Sequence, residues 1–535
     1  AVKALEVSME RCLGSNVAGE ESSGDLEGIA VVQLYPTLRK SLIAAVSRLH
    51  EAVDSQTNSP HKTSLRLRIS ALLDDNTRSS DAGSLPIHND AQSSALQQEQ
   101  LLSALVPMRQ RFMAKSLEAL MRPVEQMFPN VEGYSNAIPS KHDVQSLMRI
   151  VDAELARATD ELSLMPLILR NLVKAVRFLS TKVEGMVYTS TSALVYGDKM
   201  TSQLTVEQDH NMQLLEFIVN LTSQLKGIVG AVLKGANVEP QEGDMKRFEL
   251  CISPAVSALE SLAKHQILRP AMSGMATTLE KHLAKVHDDN FGEGQPSEVP
   301  EDGTSKFLSD FDAALQVLRR EHLSRLPRDT TTGVVGESLR DLARRLARSF
   351  VSNIALVRPL SEAGRLRLAR DMAAFEMYLS SFYNLKGLGR SHEELRALRQ
   401  LLFLGEEGHT PTAADVLSHD LCRSLRPSTA LNHCYSTAPQ TLTSPHGQCK
   451  VSQRAYVEWL VAGTALKSLV VKYPAGEGGA AREASALKIV QASVDSYAQR
   501  CSASSTTPEP VYDALSEAGP RLLERYLMQA KAVTN

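Results

Sequence analysis

Residues 166–187 read PLILRNLVKAVRFLSTKVEGMV, and in them Leu169, Leu172, Val176, Leu179, Val183 and Met186 step by threes and fours without a break. That spacing predicts an amphipathic helix, because about 3.6 residues per turn bring those positions onto one face. A second stretch, MQLLEFIVNLTSQLKGIVGAVL (212–233), repeats it through Leu214, Ile218, Leu221, Leu225, Ile228 and Val232, with Phe217 and Val229 widening the apolar side. A face wider than two positions per heptad needs more than one neighbour, which predicts packed bundles rather than an isolated two-stranded coil.

Similar periodicity predicts helices at about 26–54, 98–128, 141–162, 245–286, 305–326, 335–357, 362–404, 450–472, 480–501 and 509–533. Strands are not expected: Leu469–Val471 could extend, but helix formers flank it and it reads as a buried helical turn. Composition agrees, since 43% hydrophobic residues with only 5% aromatics and one tryptophan, Trp459, suit helices better than sheets. No internal repeat marks a regular solenoid. The expected fold class is all-α, with elongated stacked helical bundles.

The 535 residues would fill about three or four domains at ~150 residues each, or one long architecture. Two polar tracts punctuate the helices, DDNTRSSDAGSLPIHNDAQSS (74–94) and DDNFGEGQPSEVPEDGTS (288–305), and both are expected to be mobile. The second carries Asp288, Asp289, Glu293, Glu298, Glu301 and Asp302 with no basic residue among them, and reads as a solvated tether. It divides an N-terminal body, 1–287, from a C-terminal body, 306–535. Within the latter, 405–449 reads as a long loop with room for a small helix.

Net charge is −3 and the pI is near 6.6, so the chain as a whole is not drawn to nucleic acid or anionic membrane. No run approaches the ~18–20 apolar residues of a membrane span. The opening AVKALEVSMERCLGS has neither a signal-peptide pattern nor an initiator methionine, so a soluble chain that starts inside a longer one is expected. Six cysteines, at 12, 251, 422, 434, 449 and 501, are too sparse for a disulfide framework and point to a reducing compartment.

Chemical motifs are missing. His50-Glu51 and His392-Glu393 each lack the second histidine of a zinc-hydrolase helix, because Asp54 and Arg396 stand where it would be. Cys422, His433, Cys434, His446 and Cys449 gather in the 405–449 tract, but the cysteines are not in the close pairs that chelate structural zinc. There is no Gly-x-Ser-x-Gly elbow, no phosphate-binding loop and no dinucleotide fingerprint; Gly387-Leu388-Gly389 is a fragment. No catalytic, cofactor-binding or metal residues are expected, and the protein reads as a non-enzyme.

One electrostatic feature stands out. Between 319 and 370 lie twelve arginines, no lysine and five acids, a local excess of +7. Arginine makes bidentate contacts with carboxylates and phosphates, so Arg340, Arg344, Arg345, Arg348, Arg358, Arg365, Arg367 and Arg370 are the candidate patch for an acidic partner helix or an anionic surface. A solvated face paired with its own acids is the competing reading. Interleaved aromatics for base stacking are missing, so nucleic acid is not an expected partner. Pro359 disfavours helix at Arg358 and suits a first turn, which predicts one helix ending near Val357 and the next beginning near Leu360. Leu368, Met372, Phe375, Leu379 and Phe382 then form a core stripe, with Arg365 and Arg370 directed elsewhere.

The segment LVRPLSEAGRLRLARDMAAFEMYL (356–379), continuing to LRALRQLLFL (395–404), resembles the subunit 5 family of the conserved oligomeric Golgi complex. AKSLEALMRPVEQMFPN (114–130) and LRNLVKAVRFLSTKVEGMV (169–187) are similar to two further blocks of that family, and SQRAYVEWL (452–460) to one near its C-terminus. Their order and spacing match too, from about residue 98 onward. The resemblance implies a helical-rod fold of the multisubunit tethering complexes and assembly beside subunits 6, 7 and 8. It further implies contact with SNARE and Rab proteins, peripheral attachment at the cytosolic face of the Golgi membrane, intra-Golgi retrograde transport and retention of glycosylation enzymes. It supplies no catalytic residues and no cofactor. Two alternatives stay open: another tether or scaffold of exocyst-like architecture, and a peripheral anionic-lipid-binding helical protein.

Overall fold

The computed structural model describes residues 106–128, 137–159, 162–197, 203–234, 243–292, 303–327, 333–403, 424–438, 440–462, 479–507 and 510–534, with short pieces between 35 and 48. These residues form helices and connections with no strand among them, so the fold is all-α. The predicted loop 74–94 lies outside the described residues.

They group into two compact units. The first takes the described residues up to Val187 together with Gln213–Ala263; the second takes Tyr188–Met212 and the described residues from Lys264 onward. In the first unit, α1 (Val106–Met127), α2 (Lys141–Ala156) and α3 (Met165–Glu184) pack in sequence, and α5 (Asp244–Leu262) lies along α3. Leu169, Leu172, Val176, Leu179, Val183 and Met186 are all buried, as their spacing requires. Asn171, on the same face, donates to the Met113 carbonyl (2.8 Å) and so locks α3 onto α1. Long α4 (Val206–Lys234) buries Leu214, Ile218, Leu221, Leu225 and Ile228, but Leu233 takes the place predicted for Val232. Ser140 caps α2 with a full capping box, its side chain and Asp143 exchanging bonds with each other's backbone N–H.

The second unit is built on α6 (Arg269–Ala284), α7 (Lys306–Glu321) and α8 (Gly333–Ile354), with α6 packed on both of the others. The polar tract suggested that α6 belongs with the N-terminal body; its apolar face, Met272, Met275, Ala276, Leu279 and Leu283, instead meets α7 and α8. Helix α9 (Glu362–Ser380) completes this core: Phe375 stacks on Phe350 at 4.0 Å between ring centroids and tilts against Phe311 at 5.4 Å. The helix predicted over 362–404 is two helices. Asn384 caps a short turn, Gly389 adopts φ +53°, and α10 (Arg390–Leu401) follows. A positive φ is where glycine has least to lose, and it redirects the chain.

Beyond α10, α11 (Pro427–Cys434), α12 (Gln453–Ala462), α13 (Gly479–Ser504) and α14 (Pro510–Thr534) close the unit. Every residue of α11 is buried, so this part of the tract predicted to be a loop is a core element, wedged against α13 and α14. The predicted turn at Pro359 is longer than expected: α8 ends at Ile354, Arg358–Pro359 is cis, and α9 starts at Glu362 behind its cap Ser361. The Leu360 and Ser361 N–H groups bond Ser436 and Phe291 carbonyls, which holds Pro359 outside the helix.

Candidate partner-binding surface

The arginine segment does not form one surface. Arg345 grips Glu280 in a two-point contact, Nε to Oε1 at 2.8 Å and Nη2 to Oε2 at 2.7 Å, and adds Ser273 at 3.1 Å, which ties α8 to α6. Arg348 runs inward to the Leu460 carbonyl at 2.9 Å; burial, with Arg426 and Arg482 nearby, pulls its pKa down to about 10. Arg358 donates to the Leu442 and Ala438 carbonyls, each at 2.9 Å, and so fastens the chain before α9 to the segment after α11. Arg367 bonds Ser305 Oγ (2.8 Å) and Asp289 (2.9 Å) with its guanidinium 4.7 Å over the Phe291 ring.

Of the remaining four, Arg340 and Arg365 are half-buried, and Arg344 and Arg370 are exposed. Among the described residues Arg344 pairs with Asp341 at 4.0 Å, and Arg365 exerts its charge on buried His433. Half of the predicted patch is therefore internal bracing. Arg345, Arg348, Arg358 and Arg367 find partners on segments distant in sequence, which heptad spacing within one helix does not show.

Arg367 also explains the acidic tract. Its partner Asp289 is itself mostly buried, and Ser305 donates both its N–H (2.9 Å) and its hydroxyl (2.6 Å) to Asp371 on α9. Burial outweighs those bonds and raises the Asp371 pKa to about 6. The described flanks of the predicted tether are thus clamped to α9; residues 293–302 lie outside the described residues.

A buried ionic cluster escaped the sequence reading altogether. Glu394 on α10 accepts from the Arg426 guanidinium (2.8 Å), the Arg426 N–H (3.3 Å) and Thr429 (3.1 Å), while Glu483 on α13 accepts from the Ser428 N–H (2.6 Å). Burial pushes the Glu483 carboxyl pKa up. The acids receive the first N–H groups of α11, where the helix dipole favours negative charge. His433, further along α11, is enclosed, and burial with Arg365 nearby lowers its pKa to about 4. These groups brace helices. Among the described residues no set of three His, Cys, Asp or Glu can hold a metal ion, and no helix is long and apolar enough to cross a membrane.

What does face outward is the far side of α9. Its inner stripe, Leu368, Met372, Phe375 and Leu379, is wholly buried. Opposite, Ala363, Leu366, Arg370, Ala373, Met377 and Ser380 are all exposed, again stepping by threes and fours, with Leu366 at 52% and Met377 at 62% of full exposure.

No family model matches the chain and no solved structure gives a significant match. Among curated proteins it matches conserved oligomeric Golgi complex subunit 5 of Arabidopsis thaliana, 25% identical over 370 residues, which is 68% of this chain and 41% of that one. The subunit 5 proteins of Mus musculus (23% over 364 residues, 67% of this chain and 40% of that one) and Drosophila melanogaster (24% over 332 residues, 61% and 41%) match as well. The chain is similar to conserved oligomeric Golgi complex subunit 5. It spans about two fifths of the length of the subunit 5 proteins it matches. The blocks read above as subunit 5-like fall on packed elements: α1, α3, the α8–α9 connection with α9, α10 and α12.

Proposed function

We propose that this chain acts as a non-catalytic subunit of a Golgi vesicle-tethering complex, supporting intra-Golgi retrograde transport and retention of Golgi glycosylation enzymes. The observation that carries the reading is the likeness to subunit 5 proteins of a plant, a mouse and a fly over about two thirds of the chain. The physics supports it: charged groups brace helices, and an apolar stripe is left outward for another protein. In this role the protein works by geometry, holding faces at fixed positions while partners assemble on them.

The partners we assign are subunits 6, 7 and 8 of the same complex, with SNARE and Rab proteins beyond them, at the cytosolic face of the Golgi membrane. Of the eight arginines, Arg344 and Arg370 are retained as partner-facing, because they are exposed and Arg345, Arg348, Arg358 and Arg367 are bound internally. The same bonds weaken the anionic-lipid alternative. Co-expression of the full-length protein with subunits 6, 7 and 8, separately and together, tests the reading. Stoichiometric capture of at least one is expected, and capture of none would overturn it.

A further inference from the structure

No further inference is drawn: the strongest candidate, the open cleft of about 270 Å³ between α1 and α2 where Lys115, Arg122 and Arg157 stand around the buried carboxylate of Glu154, carries nothing, because the Glu154 oxygen left without a partner is sealed from solvent and nothing in the structure shows what would fill the cleft.

Discussion

Glu394→Leu should be among the most damaging single substitutions in the second unit. The carboxylate side chain is 2% exposed and its partner Arg426 is 14% exposed, so the pair is sequestered from water. Removing the acid strands the Arg426 guanidinium, takes away the acceptor of Thr429, and leaves the charge in a core that also holds Arg348 and Arg482. Breaking a buried pair from one side costs about 3–5 kcal/mol, against about 0–1 kcal/mol for an exposed pair. In thermal unfolding that is a fall on the order of 10 °C for a unit of this size. The double variant Glu394→Leu/Arg426→Met removes both charges and should recover most of the loss, since an apolar pair of similar volume is often as stable as a buried ion pair. Circular dichroism melts of wild type, both singles and the double variant form the cycle. A Glu394→Leu protein within about 1 kcal/mol of wild type would show that Arg426 finds water or another acceptor, and would refute the enclosure of this cluster.

Three further outcomes follow from the same contacts. Arg344→Glu and Arg370→Glu should change stability by no more than about 0.5 kcal/mol, whereas Arg345→Glu should cost several times that, because it sets a carboxylate against Glu280; denaturant midpoints separate them. Gly364→Ala would place a Cβ inside contact distance of the Phe291 carbonyl, on backbone that cannot yield, and should cost about 1–3 kcal/mol, read as faster proteolysis near α9. The pH dependence has two signs. His287, His322 and His433 have pKa values lowered by burial to about 4, so the stability they contribute is present above about 6.5 and is lost as pH falls toward 4. Asp371, raised by burial to about 6 beside Asp289 and Arg367, works the other way: its contribution is present below its unfolded pKa near 4 and is lost as pH rises through 6. Asp371→Asn should therefore steepen the loss of stability on acidification between pH 6 and 4, and His433→Phe should flatten it. Melts across that range give the slopes.

How much of this was legible in the sequence varies by element. The stripes of α3, α4 and α9 were readable because one helix face bears one periodicity, and burial follows it almost residue by residue. The break over 381–389 was harder to read, since apolar periodicity continues on both sides of a short turn that ends at Gly389 with φ +53°. Residues 427–434 looked like loop because α11 is short and mixes Ser, Thr, Asn and His with its apolar residues. Those polar groups are buried among Glu394, Glu483 and neighbouring helices, contacts between residues 32 to 55 positions apart that no local window contains. The outer stripe of α9 was present in the spacing, but Leu366, Ala373 and Met377 read as ordinary helix residues until the inner face was seen to be full.

The sequence by itself determined that the chain is helical, which faces are apolar, and that its blocks resemble a Golgi tethering subunit, since periodicity and composition are local properties. The tertiary structure alone decided which charges are structural. An arginine looks the same in sequence whether it stays exposed beside an acid of its own helix, as Arg344 does, or is drawn onto a carboxylate 65 residues away, as Arg345 is. The difference is made when packing removes water from one side chain and leaves it on the other, because a buried guanidinium must find a partner and an exposed one need not.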